Sequence, residues 1–167
     1  MAQVDYFLKL DGIPGESVDD KHRGEIDIMS FSFGVSTVVA GGGAGRGSAK
    51  SSFQDIHLSA PFNLSSPKLL LFCSSGQHIK TGILTCRKAN TDNPVEFLTI
   101  KLTDILVSSY STGSNSLDSG FSSLQTDNDY PTDQFTLNFA RIAVTYTPQS
   151  PSNPDLTSGG DDIVANG

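Results

Sequence analysis

Val95-Glu-Phe-Leu-Thr-Ile-Lys-Leu-Thr-Asp-Ile-Leu-Val-Ser-Ser-Tyr110 is a long run of β-branched, aromatic and aliphatic residues. Such residues fit a pleated strand. Glu96, Leu98, Ile100 and Leu102 form a largely apolar face, and Val95, Phe97, Thr99 and Lys101 form the opposite one. Asn90-Thr-Asp-Asn-Pro94 supplies a turn, and the stretch before it, Ile79 to Lys88, is a second β run, so the two predict a hairpin. Farther out, Val4, Tyr6, Leu8 and Leu10 alternate against Asp5, Phe7 and Lys9. Glu25 to Gly34 resumes the period of two but changes phase between Ile28 and Met29, which predicts either two apolar faces or a shifted register. Phe53 to Ser59 is a weaker strand. Asp133 to Thr147 is the last one, with Phe135, Leu137 and Phe139 out of phase with Ile142, Val144 and Tyr146; that predicts a bulge near Ala140–Arg141.

One short helix is expected. Ser66 is a suitable N-cap, Pro67 suits the first turn, and Gly76 stops the run. Leu69, Leu70, Phe72 and Cys73 supply its buried stripe. Six or so strands with one helix predict an all-β fold, a sandwich or small barrel. Residues 1–149 form one domain. The Pro-, Gly- and Asp-rich residues 150–167 are expected to be a flexible tail. Ala40 to Lys50, mostly Gly, and Ser111 to Asp133, rich in Ser and Asp, are expected to be loops.

The chain of 167 residues carries eleven Lys and Arg against eighteen Asp and Glu, a formal net charge of −7. That balance disfavours a phosphate backbone as partner, so no nucleic acid is expected. No apolar run approaches the ~20 residues of a membrane span, and no Sec-type leader opens the chain. Cys73 and Cys86 sit in apolar surroundings and are expected to be reduced thiols.

Several groupings invite chemistry and fall short of it. Gly43-Ala-Gly45-Arg-Gly47 lacks the spacing of a nucleotide loop, and no helix follows it. Asp19, Asp20, His22, Glu25 and Asp27 match no metal-ligand spacing and suit a solvated acidic loop. Asp127, Asp129 and Asp133 have a faint calcium-loop spacing without its Gly or its terminal Glu. Cys73, His57 and His78 have no spacing that forces a nucleophile onto a base; His78 is expected to close the helix end. No catalytic residue, metal or cofactor is assigned. Two-sided apolar strands need cover, and self-association provides it most simply.

The same segments resemble a known family. Gly15-Glu-Ser-Val-Asp-Asp-Lys-His-Arg-Gly-Glu-Ile-Asp27 leading into Phe-Ser-Phe-Gly34, then Phe53-Gln-Asp55 and Ser66 to His78, are similar to the haemolysin-coregulated protein (Hcp) family. Leu84 to Ala89, Val95 to Leu98, Val107 to Gly113, Leu137 to Ala140 and Tyr146 to Gln149 continue the likeness in order. Phe31 and Phe33 stand where the family often has Trp. The resemblance implies a β-barrel-like, phage-tail-tube-like protomer of two packed sheets with a flanking helix, homohexameric rings, and stacking of the rings into the inner tube of a type VI secretion system. It implies as partners a contractile sheath, tip and baseplate proteins, and effectors in the lumen, with cytoplasmic synthesis and release without a Sec signal. Gly42, Gly43, Arg46, Lys50, Phe53, Thr112 and Gly113 are the expected oligomer and stacking contacts. The alternatives are a free-standing β-rich binding module and a tube protein of another contractile injection particle.

Overall fold

The computed structural model describes residues 3–38, 50–89, 94–113 and 130–148, and the backbone of 159–164. Its elements are β1 (Val4–Leu10), β2 (Ile26–Ile28), β3 (Ser30–Ser32), β4 (Val35–Val38), β5 (Lys50–Phe53), β6 (Ile56–Pro61), α1 (Ser66–Ser75), β7 (His78–Lys88), β8 (Val95–Gly113), β9 (Thr132–Tyr146) and β10 (Gly159–Val164). The fold is mainly β, and its large sheet is a nearly closed barrel ordered β2-β1-β7-β8-β9-β6-β3. β4 and β5 make a separate two-stranded sheet.

Closure comes from the phase change between Ile28 and Met29. Ile26 and Ile28 are buried and pair with β1, whereas Phe31 lies opposite Leu58 of β6. Met29 is the joint, and its amide donates to the Ser59 carbonyl at 2.8 Å. One chain segment thus starts on one edge of the sheet and finishes on the other, which nearly closes the barrel. Leu8, Ile26, Ile56, Leu84, Ile100, Leu102, Leu137 and Ile142 fill the interior with no more than 1% exposure each.

The bulge expected at Ala140–Arg141 is not there. Pairing between β8 and β9 keeps its register from Leu98↔Tyr146 to Val107↔Leu137 and slips only between Val107 and Ser109. The inward face instead changes parity in three neighbouring strands at one level. Ile79, Ile105 and Phe139 are buried on one side of it, and Leu84, Leu102 and Ile142 on the other. Asp104, between them, has φ +54°. A bulge adds a residue to one strand and shifts its pairing. A crease shared by three strands turns the face over without a shift.

Gly82 sits beside this crease. A Cβ there would lie 2.8 Å from both Ile105 Cδ1 and Leu10 Cδ2. Gly82→Ala is expected to cost about 1 kcal/mol through overpacking. A calorimetric Tm lowered by about 2–4 °C would show it.

The helix starts one residue differently from expectation. Ser65 occupies the N-cap position without a capping hydrogen bond, and Ser66 is already helical. Leu69 is buried and Phe72 and Cys73 pack partly against the core, but Leu70 is exposed with Leu71. Gly76 ends the helix in the left-handed conformation, φ +67°. β4, where no strand was expected, pairs along its whole length with β5. Within the stretch read as a tail, Gly159–Val164 runs antiparallel to the second half of β9, opposite Tyr146 to Arg141.

Candidate assembly surfaces

β4 and β5 stand off the barrel. All of Val35–Val38 is exposed, with Val35 at 56% and Val38 at 69%, and so are Lys50, Ser51 and Ser52. The base of the hairpin is fixed: the Gln54 amide donates to the Gly34 carbonyl at 2.9 Å, and Phe53 packs edge-on to Phe139 with centroids 6.3 Å apart. Of the expected contact residues, Lys50 is therefore free to touch a neighbour, whereas Phe53 anchors the hairpin to its own barrel. Thr112 and Gly113 end β8, exposed, opposite Asp133 and Thr132. Gly42, Gly43 and Arg46 lie outside the described residues, as does most of the Gly-rich segment.

A second surface is concave and hydroxyl-rich. Ser30, Ser32, Ser59, Ser109, Ser111 and Thr136 line a groove of about 530 Å³ between β3, β6, β8 and β9, with His57 the one titratable group among the described residues there. A third is apolar. Phe62, Leu64, Leu70 and Leu71, around the start of α1, are all at least 40% exposed.

The acidic stretch 15–27 is a strap clasped to the barrel and not a solvated loop. Asp19 accepts two hydrogen bonds from Arg87, at 2.9 and 2.6 Å, and Asp5 accepts a longer one at 3.4 Å. The Arg87 guanidinium lies 4.9 Å from the centre of the Phe7 ring. His22 stacks on the same ring at 4.3 Å and 7°. Its Nδ1 faces Glu25 at 2.9 Å and its Nε2 faces Glu96 at 3.0 Å. The Arg87 hydrogen bonds hold the Asp19 carboxyl well below the usual carboxylate range; burial opposes them, and the Lys21 and His22 amides help. Arg87 is raised in turn, chiefly by Asp19.

Asp133, the one described member of the calcium-like trio, is fully buried. It accepts from the Ser66 hydroxyl on one oxygen and from Tyr110 at 2.9 Å on the other, which ties β9 to the start of α1. Burial raises the Tyr110 hydroxyl, with the Asp133 hydrogen bond adding to it. The candidate nucleophile is not assembled. Cys73 packs half-buried on the helix, and among the described residues no hydrogen bond joins it to a histidine. His78 opens β7, its Nδ1 2.8 Å from Asp104, and does not cap the helix. Cys86 is fully buried, and burial pushes its thiol up to about 11.

A nearly closed barrel with a strapped outer face and a projecting hairpin is thus the unit to compare with known proteins. The family described as "Type VI secretion system effector, Hcp" matches residues 7–146. Over 147 residues the chain is 40% identical to Protein hcp1 of Pseudomonas aeruginosa, covering 87% of this chain and 85% of that one. The crystal structure of Hcp1 from Salmonella typhimurium superposes with TM-score 0.74 at 31% identity, over 98% of this chain and 95% of that one. A type VI secretion system effector from Yersinia pestis gives 0.72 at 28%, over 96% and 99%. The chain belongs to the Hcp family of type VI secretion proteins.

Proposed function

We propose that this chain is a tube subunit of a type VI secretion system: six copies close into a ring, rings stack, and the hollow stack carries effectors out of the cell. The observation that carries this reading is the β4–β5 hairpin. An isolated two-stranded hairpin is marginal in water. This one is anchored at its base and exposes Val35 and Val38 away from its own barrel, so a neighbouring copy is the natural cover. The barrel covers most of its own sheet edges through the β2–β3 segment, so association is expected to run mainly through surfaces. The hydroxyl-rich groove, with no carboxylate or ammonium side chain among the described residues that line it, suits a passage wall over which varied cargo moves without being held. Export with the machine needs no membrane-crossing helix, and no helix among the described residues is long and apolar enough to be one.

Light scattering with negative-stain imaging tests the reading. The expected result is a mass of six 17.7 kDa protomers and ring-shaped particles, some stacked. Val35→Ser with Val38→Ser is expected to shorten or abolish the stacks while leaving the barrel's circular dichroism intact. A wild-type protein that stays monomeric at high concentration would overturn the proposal.

A further inference from the structure

Charge along the outward face of β1 is sorted by level. The outward residues of β1 read Asp5, Phe7, Lys9; the acid and the base lie roughly 13 Å apart along the strand. The strap crosses this face with the same polarity. Ser17, Val18 and Asp19 lie at the Asp5 end, His22 covers Phe7, and Lys21 and Arg23 reach the Lys9 end.

At the basic end, Lys9, Lys21, Arg23 and Lys68 line one groove of about 580 Å³. These are four of the eleven Lys and Arg in a chain of net charge −7. All four are exposed, and none forms an ion pair among the described residues. Lys68 touches only the Gly12 carbonyl, at 3.4 Å. Two carboxylates share the groove, Asp11 and Glu25, and Glu25 is engaged by His22. At the acidic end, Asp5, Asp19 and Asp27 line a groove of about 630 Å³. Arg87 is the one cation there, and its guanidinium is engaged with Asp19 and Asp5. Asp27, opposite Phe7 in the β1–β2 pairing, is exposed, and its side chain has no hydrogen-bond partner among the described residues; Val18 and Met29 stand exposed in the same groove.

Unpaired like charges gathered in one concavity repel one another and favour any partner of opposite sign. Here the opposite sign occurs on the same chain, at the other end of the same strand. We infer that the basic groove of Lys9, Lys21, Arg23 and Lys68 receives the acidic end, Asp5 and Asp27 with Val18 and Met29, of a second copy. The contact is heterologous, one end of each protomer meeting the other end of the next, which is the kind that propagates into rings or filaments. It gives the assembly a direction, because reversing one copy sets like charges face to face. This inference rests on the tube-subunit reading and assigns residues to one of its contacts.

The test uses the full-length chain with Lys9→Glu and Arg23→Glu together. Both side chains are exposed, so the barrel is expected to keep its circular dichroism and melting behaviour. At about 0.05 M salt, where exposed charges are weakly screened, sedimentation is expected to show association at least about tenfold weaker than wild type. Higher salt is expected to weaken the wild type in the same direction. Asp27→Lys alone is expected to associate poorly too, and mixing it with the Lys9→Glu/Arg23→Glu protein to restore large particles. Charge-reversed protein that assembles like wild type, or a mixture that stays small, overturns this contact while leaving the tube reading standing. A wild type that stays monomeric overturns both.

Discussion

Arg87→Ala is expected to unfasten the strap and lower the stability of the barrel by about 3 kcal/mol, the order found when one partner of a buried ion pair is removed. For a chain of this size that corresponds to a Tm lower by roughly 10 °C. Arg87 is 6% exposed and sits directly opposite Asp5 in the β1–β7 pairing. It joins three things at once: both Asp19 oxygens, Asp5, and the face of Phe7. Without it, Asp19 is left half-covered with no counter-charge, and Phe7 loses the cation on its ring. Arg87→Lys is expected to recover only part of the loss, because an ammonium cannot hold both carboxylate oxygens in one plane.

Acid provides an independent check on the same clasp. Asp19 is lowered in the folded protein, so its contribution is complete above the ordinary aspartate pKa near 4. That contribution is lost as pH falls through the lower folded value. Chemical denaturation from pH 6 down to pH 2 should therefore show wild type and Arg87→Ala converging in stability. A constant gap across that range would mean that the ion pair is not what fastens the strap.

Asp133→Ala is the second large effect, expected at about 2–3 kcal/mol. It removes the acceptor of two hydroxyl donors, Ser66 and Tyr110, in a place with no access to water. Ser66 is the first residue of α1, where Ser65 makes no side-chain cap, so the helix loses its main polar tether to β9. The two thiols tell local release from global unfolding. Cys73 rides on the helix, and Cys86 is fully buried in β7. Labelling of Cys73 is expected to accelerate several-fold, with Cys86 still protected. Equal acceleration at both would mean that the whole barrel opens.

The period of two was enough to place the long strands, because β1 and each half of β7, β8 and β9 on either side of the crease bury an alternating row against the interior. The phase change at Ile28–Met29 was legible for the same reason, and it proved to be the closure itself. The phase change near Ala140 was equally legible but ambiguous. In one strand, a bulge and a shared crease leave the same trace; only the partner strands distinguish them. The strap was misread because its partners are remote. Arg87 and Glu96 lie more than sixty residues from Asp19 and His22, and an acidic run by itself looks like a solvated one. Leu70 was counted as core from a stripe too wide for a ten-residue helix that buries Leu69 alone among its apolar residues. β4 was missed although Val35-Ser-Thr-Val38 is β-branched at three of its four positions, a signal hidden by the glycines that follow. Of the expected contacts, Lys50 was read as the end of a loop, and it opens β5 because β4 pairs with it. The anchoring of Phe53 required Phe139, which only the fold brings near.

The joint at Met29 also sets a timetable for synthesis. β1 and β2 pair with each other, and β3 pairs with β6, all within the first sixty or so residues. The other edge of β1 is not fully paired until Lys88 has emerged, and the other edge of β6 not until Leu137 has. At about 5–20 residues per second on the ribosome, those edges stay open for several seconds. The barrel that finally shuts leaves few backbone groups to spare, but its nascent chain passes through a window of edge exposure fixed by strand order. Slowing translation between β6 and β9 should therefore lower the soluble yield of this chain more than slowing it before β6.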